Sequence, residues 1–180
     1  MIRNLCLLLL LIFPVYGENI GSLFLGTSSI GGNNEFRPRN YEVNYGVSAG
    51  FLLPIRFPII DAHYKVRAAY HPAISNRSYD HTDYGYVSAS NVLLAGKTIT
   101  PGPFKLLPQL GLGLIYEVIF DEWGSGYLYN LLFLDYSVKV TLPRIPTRWG
   151  LLFNFEQGIE TSMPDYMPMD RFHVSLVYTY

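Results

Sequence analysis

Between residues 60 and 71 the chain alternates without a break. Ile60, Ala62, Tyr64, Val66, Ala68 and Tyr70 fall on one side, and Asp61, His63, Lys65, Arg67, Ala69 and His71 on the other. A strand sends successive side chains to opposite faces, so this segment has an apolar face backed by a charged one. The period of two recurs at 43–53, 106–120, 132–142, 149–159 and 171–180. In each, large apolar residues hold one register. Asn44 and Ser48, Gln109 and Glu117, Asp135 and Lys139, Asn154 and Glu156, or Arg171 and His173 hold the other. Segment 20–30, rich in Gly and Ser, reads as a first strand. Segment 84–96 reads as another, with its apolar face undecided. The total is eight.

The connections are of two kinds, and they alternate along the chain. Three are bounded by proline: 54–58, 101–103 and 143–146. Proline has no N–H for a ladder and suits turns. The others, 33–40, 72–83, 121–126 and 161–170, are polar and mostly longer. Short turns at one end and longer polar loops at the other, joining an even number of antiparallel strands, form the layout of an up-and-down transmembrane β-barrel. The expected fold is therefore all-β, an eight-stranded antiparallel barrel over residues 18–180.

The direction of the faces follows from what each carries. A soluble barrel turns its apolar face inward, whereas a membrane barrel turns it toward lipid. Asp61, His63, Lys65, Arg67, Glu117, Asp135, Lys139, Glu156, Glu160, Arg171 and His173 share the polar face, interleaved with glycines at 46, 50, 111, 113, 150 and 158. The apolar face carries large side chains with aromatics near strand ends. Tyr45, Tyr70, Tyr116, Phe120 and Phe172 lie toward the loops, and Phe51, Trp149, Tyr178 and Tyr180 toward the turns. Two aromatic girdles around an aliphatic band fit a bilayer. The composition agrees: 49% of residues are hydrophobic, 16% aromatic and only 15% charged. The charged face is then a lumen. Eight strands leave room for little beyond their own side chains, and buried charges must be paired. The expectation is a closed ionic plug in which Arg171 and His173 meet Glu156 or Glu160.

The last strand sharpens this reading. Phe172, Val174, Leu176, Tyr178 and the terminal Tyr180 alternate to an aromatic end. The segment resembles the closing strand of bacterial outer-membrane β-barrel proteins. That resemblance implies recognition by the barrel-assembly machinery and residence in the outer membrane, beside lipid and lipopolysaccharide. Residues 1–17 have the layout of an export signal: Arg3, an apolar run at 5–13, then Pro14 and small residues before a cleavage point after Gly17. The run is too short to span a bilayer as a helix.

Little in the chain points to chemistry. The net charge of −1 lacks the basic excess of a nucleic-acid binder. The single cysteine, Cys6, supports neither a disulfide framework nor a cysteine zinc site. No metal or other cofactor is expected. Asp80, His81 and Asp83 could ligate a metal, although a solvated polar loop is the plainer reading. His173 and Ser175 form an H-x-S pair that resembles the dyad of the lipid A 3-O-deacylases, which are also eight-stranded barrels. Those enzymes carry the pair on the penultimate strand, and residues 155–160 here hold neither His nor Ser. The favoured function is a non-enzymatic outer-membrane barrel with a structural role, or one that meets a surface ligand through its loops. A lipid A-modifying enzyme and a narrow channel for small solutes stand as alternatives.

Overall fold

The computed structural model describes residues 21–34, 37–72, 85–120, 126–141, 148–161 and 170–180. Eight strands follow in chain order: β1 (Ser22–Asn34), β2 (Arg37–Arg56), β3 (Asp61–His71), β4 (Gly85–Gly96), β5 (Lys105–Phe120), β6 (Gly126–Thr141), β7 (Trp149–Thr161) and β8 (Asp170–Thr179). Each pairs antiparallel with its sequence neighbours. Pairing of β1 with β8, from Ser22 opposite Thr179 to Gly31 opposite Asp170, closes the barrel. Both ends of the described chain therefore lie at the end that carries the short turns. The leader at 1–17 with Cys6, the candidate ligands Asp80, His81 and Asp83, and the loop residues 163–169 lie outside the described residues.

Two proline positions show how the barrel ends its ladders. Pro54 pairs with His63, beyond Leu52, the last β2 partner of β1. Pro108 pairs with Val138, one residue past Gln109, the last β5 partner of β4. Each lies just past the point where the neighbour on its other side stops, so the missing N–H removes no bond on that side. The strand β2 therefore runs through Pro54 to Arg56, and the first turn shrinks to the four residues between β2 and β3. Residues 33–40 also depart from the expected loop. Gly32 pairs with Glu42 and Asn33 with Tyr41, and a register shift then sets Asn34 opposite Arg37. Polar side chains signal a loop in sequence, but main-chain pairing continues to Asn34 and Arg37.

Side chains alternate in burial along the strands. Lys65, Arg67, Ala69 and His71 of β3 are buried, and Tyr64, Ala68 and Tyr70 are exposed. The ambiguous strand β4 turns Ser88, Ser90, Val92 and Leu94 inward and Val87, Ala89, Leu93 and Ala95 outward. Its faces are hard to separate in sequence because both hold small and apolar residues. On the outer wall, Leu25 is 66% and Leu128 69% exposed, among many other exposed apolar side chains. Such a surface is far larger than the apolar patches that monomers keep in water. Lipid is the solvent it fits. Tyr70 stacks with Phe120 toward the loop end, with ring centroids 6.3 Å apart. Trp149 meets Tyr178 at the turn end at 4.8 Å.

The interior is not purely ionic. Phe24, Leu52, Val92, Leu94, Ile115, Leu131, Phe133, Leu152 and Val177 form a buried apolar cluster from seven of the eight strands. Glycines directly opposite on the neighbouring strand seat its rings. A Cβ on Gly50 would come within 2.6 Å of Phe24, and one on Gly113 within 2.8 Å of Phe133. These inward glycines thus make room for aromatic rings. Gly113→Val should lower stability by about 1–3 kcal/mol through overpacking. Urea unfolding in detergent micelles measures this, and an unchanged midpoint would show that the ring has room to move.

Candidate functional site

Midway through the barrel, strands β3, β5, β6, β7 and β8 send charged side chains to one place. Lys65 forms an ion pair with Asp135, and its Nζ lies 3.5 Å from Glu156 Oε1. Arg67 pairs with Glu156, and its guanidinium is 3.9 Å from Asp135. Arg171 reaches Glu117 on β5. All six side chains are 3% exposed or less. Three cations and three carboxylates thus balance. Balance matters because an unpaired buried charge is far more costly than a paired one.

Asn154 of β7 is the hub. Its Oδ1 accepts hydrogen bonds from Lys65 Nζ at 3.0 Å and Arg67 at 2.6 Å. Its Nδ2 donates to Asp135 Oδ1 at 2.5 Å. Ser137 donates to the same carboxylate oxygen. An amide can do this because it offers an acceptor to the cations and a donor to the anion at once. Counting formal charges alone misses Asn154 and Ser137. Both are legible in sequence as polar residues in the inward register.

The other residues singled out in the sequence fall into separate places. Asp61 sits at the turn end, where Oδ2 accepts from the Thr98 amide and hydroxyl, both at 2.7 Å. His63 Nδ1 lies 2.8 Å from Gln109 Nε2. Lys139 donates to two hydroxyls, one on β1 and one on β8. The side chain of Glu160 lies outside the described residues. Arg171 stands opposite Glu156 in the β7–β8 ladder, yet its guanidinium pairs across the lumen with Glu117. His173 Nε2 is 3.4 Å from Glu156 Oε2 without hydrogen-bond geometry. On the outer face, Phe172 and Leu176 are exposed, and Val174, Tyr178 and Tyr180 half-buried.

Neither ring nitrogen of His173 has a hydrogen-bond partner among the described residues, so His173 and Ser175 do not form a nucleophile–base pair. A different serine and histidine do meet. His71 Nε2 lies 2.8 Å from Ser28 Oγ, with both residues buried. Nδ1 of His71 has no partner among the described residues, so the carboxylate that would orient a catalytic base is missing there. No sequence spacing could reveal this contact, since it spans 43 residues across β1 and β3. Among the described residues no three His, Cys, Asp or Glu side chains are grouped to hold a metal.

This closed barrel, apolar outside and ionic within, has solved counterparts. The chain has the fold of the small outer-membrane β-barrels. The neisserial surface protein NspA aligns at 12% identity over 91% of this chain and 98% of its own, with a TM-score of 0.57. A major outer membrane protein of Thermus thermophilus aligns at 10% identity over 88% and 99%, with a TM-score of 0.54. Ail, the attachment invasion locus protein of Yersinia pestis, solved in complex with the heparin analogue sucrose octasulfate, aligns at 10% over 91% and 100%, with a TM-score of 0.51. No family model matches the chain, and no curated protein matches it in sequence.

Removal of one partner from the central network should be severe. Arg67→Ala strips Glu156 of its guanidinium and should lower unfolding free energy by about 3–5 kcal/mol. The double variant with Glu156→Gln should lose less than the sum of the two single changes, because neutralising the carboxylate relieves part of the first loss. Equal stability of Arg67→Ala and the parent in detergent would show a hydrated, weakly coupled lumen.

Proposed function

We propose that this protein is an integral, non-enzymatic component of the bacterial outer membrane that acts through its surface loops. One observation carries the reading: the barrel is inside out relative to a soluble protein, with apolar side chains on its outer wall and balanced buried charges at its centre. In this reading the turn end faces the periplasm, and the loops 72–83 and 161–170 face outward. The second loop contains Met163-Pro-Asp-Tyr-Met-Pro-Met169, apolar material suited to contact with a partner or with lipopolysaccharide. The likeness to Ail, whose crystal structure holds a sulfated sugar analogue, supports a surface-contact role of this general kind. The leader at 1–17 and the aromatic end of β8 support export and assembly into the outer membrane by the barrel-assembly machinery.

The filled centre supports a barrel that does not conduct. An eight-stranded wall encloses just enough space for its side chains, and here they are held to one another by ion pairs and by Asn154. The absence of a hydrogen bond from His173 among the described residues and the incomplete Ser28–His71 pair support the non-enzymatic reading over lipid A hydrolysis.

In a membrane fractionation the protein should sediment with the outer membrane. Unboiled, it should migrate differently in gels from boiled protein, since a closed barrel stays folded in detergent until heated. Recovery as a soluble periplasmic protein without a mobility shift would overturn the reading. In a planar bilayer the parent should show no discrete conductance steps. Regular steps would instead support the channel alternative.

A further inference from the structure

The turn-end mouth of the barrel opens into a pocket of about 830 Å³. At its wall lies a lysine that the ionic network does not reach. Lys139 of β6 projects inward and is half-buried, but among the described residues no carboxylate lies within 4.0 Å of it. Its Nζ instead donates to Ser22 Oγ at 3.0 Å and to Thr179 Oγ1 at 2.9 Å. Those two hydroxyls are 2.9 Å from each other. They belong to facing residues of β1 and β8, so the triangle sits on the seam that closes the barrel.

The donors of this triangle can be counted. An ammonium has three N–H groups, and two are used. Each hydroxyl has one O–H, and the contact between the two consumes one of them. Among the described residues one N–H and one O–H remain uncommitted beside a positive charge. A half-buried cation held only by neutral oxygens has no counter-charge among the described residues, and a partly desolvated charge favours one. The surroundings add to the bias. Lys105 and His63 also line the pocket, and its one acidic lining residue among those described, Asp61, has an oxygen engaged twice by Thr98. If Gln109 donates to His63 Nδ1, the ring proton lies on Nε2, which adds a further donor. Leu52, Pro54, Ile60, Leu106 and Leu107 form an apolar flank.

We propose that this pocket is an anion-binding site that receives a carboxylate or phosphate group through Lys139, Ser22 and Thr179. Two uncommitted donors on adjacent corners match two oxygens of either group, and the apolar flank suits a ligand whose charged head is joined to a less polar body. The site lies at the turn end, away from the loops. It therefore does not depend on what those loops contact.

The test uses the full chain folded in a nonionic detergent at low ionic strength. Inorganic phosphate and acetate are titrated separately while the amide signals of Ser22, Lys139 and Thr179 are followed by NMR. Saturable shifts at these three positions with either anion support the site, and the anion that saturates first identifies its class. Lys139→Met and the shape-preserving Thr179→Val should each weaken binding by at least about tenfold. Lys97→Gln, outside the pocket lining, should bind like the parent. Retained gel mobility of each variant shows that the barrel is formed. Shifts that do not saturate, or that persist unchanged in Lys139→Met, would overturn the proposal.

Discussion

Everything in this barrel depends on the narrowness of an eight-stranded wall. A closed sheet of this size has no second layer to pack against, so half of its side chains must fill the interior and half must face the surroundings. The alternation of the strand divides them, and a slip of one residue would exchange the two sets entirely. Here such a slip would put Lys65, Arg67 and Glu117 into lipid and Leu112, Leu114 and Tyr116 into the lumen. The register between strands is therefore fixed by the large penalty for charge in hydrocarbon, and less by any one cross-strand contact.

The interior meets its own constraint in two ways. Around the wall, Phe24 and Phe133 lie over Gly50 and Gly113, and the apolar cluster fills space as a soluble core does. At the centre, six formal charges cancel around Asn154. A buried ion network adds little net stability over an apolar filling of the same shape. It does make the interior intolerant of partial change, since the loss of any member leaves another charged group with poorer company. The network is thus better understood as specifying one packing of the lumen than as the main source of stability. In a membrane barrel it also marks the inner face unambiguously, because that face cannot be turned to lipid.

The fold is legible in the sequence because period two is a strong signal once it recurs at proline-punctuated intervals. Strand count, the order of turns and loops, and the facing of β2, β3 and β5 through β8 all follow from it. Strand β4 is not legible in the same way. Ser88, Ser90, Val92 and Leu94 differ too little from Val87, Ala89, Leu93 and Ala95 for hydropathy to tell inside from outside. The extent of β1 and β2 is hidden for a related reason, since the sequence around Gly32 and Glu42 shows no clear alternation although their main chains pair.

The inward charges can be read from sequence, but their partners cannot. Position along a strand fixes height and face, whereas the partner across a lumen depends on the reach of each side chain and on the barrel's curvature. Arg171 has Glu156 beside it in the ladder and pairs with Glu117 across the lumen instead. Lys139 groups with the central charges in sequence for the same reason, yet it stands two residues along β6 from Ser137, at the level of Ser22 and Thr179. The difference has a physical consequence. A cation among carboxylates closes a network, whereas a cation among hydroxyls at the mouth of a pocket leaves it open to an anion from outside.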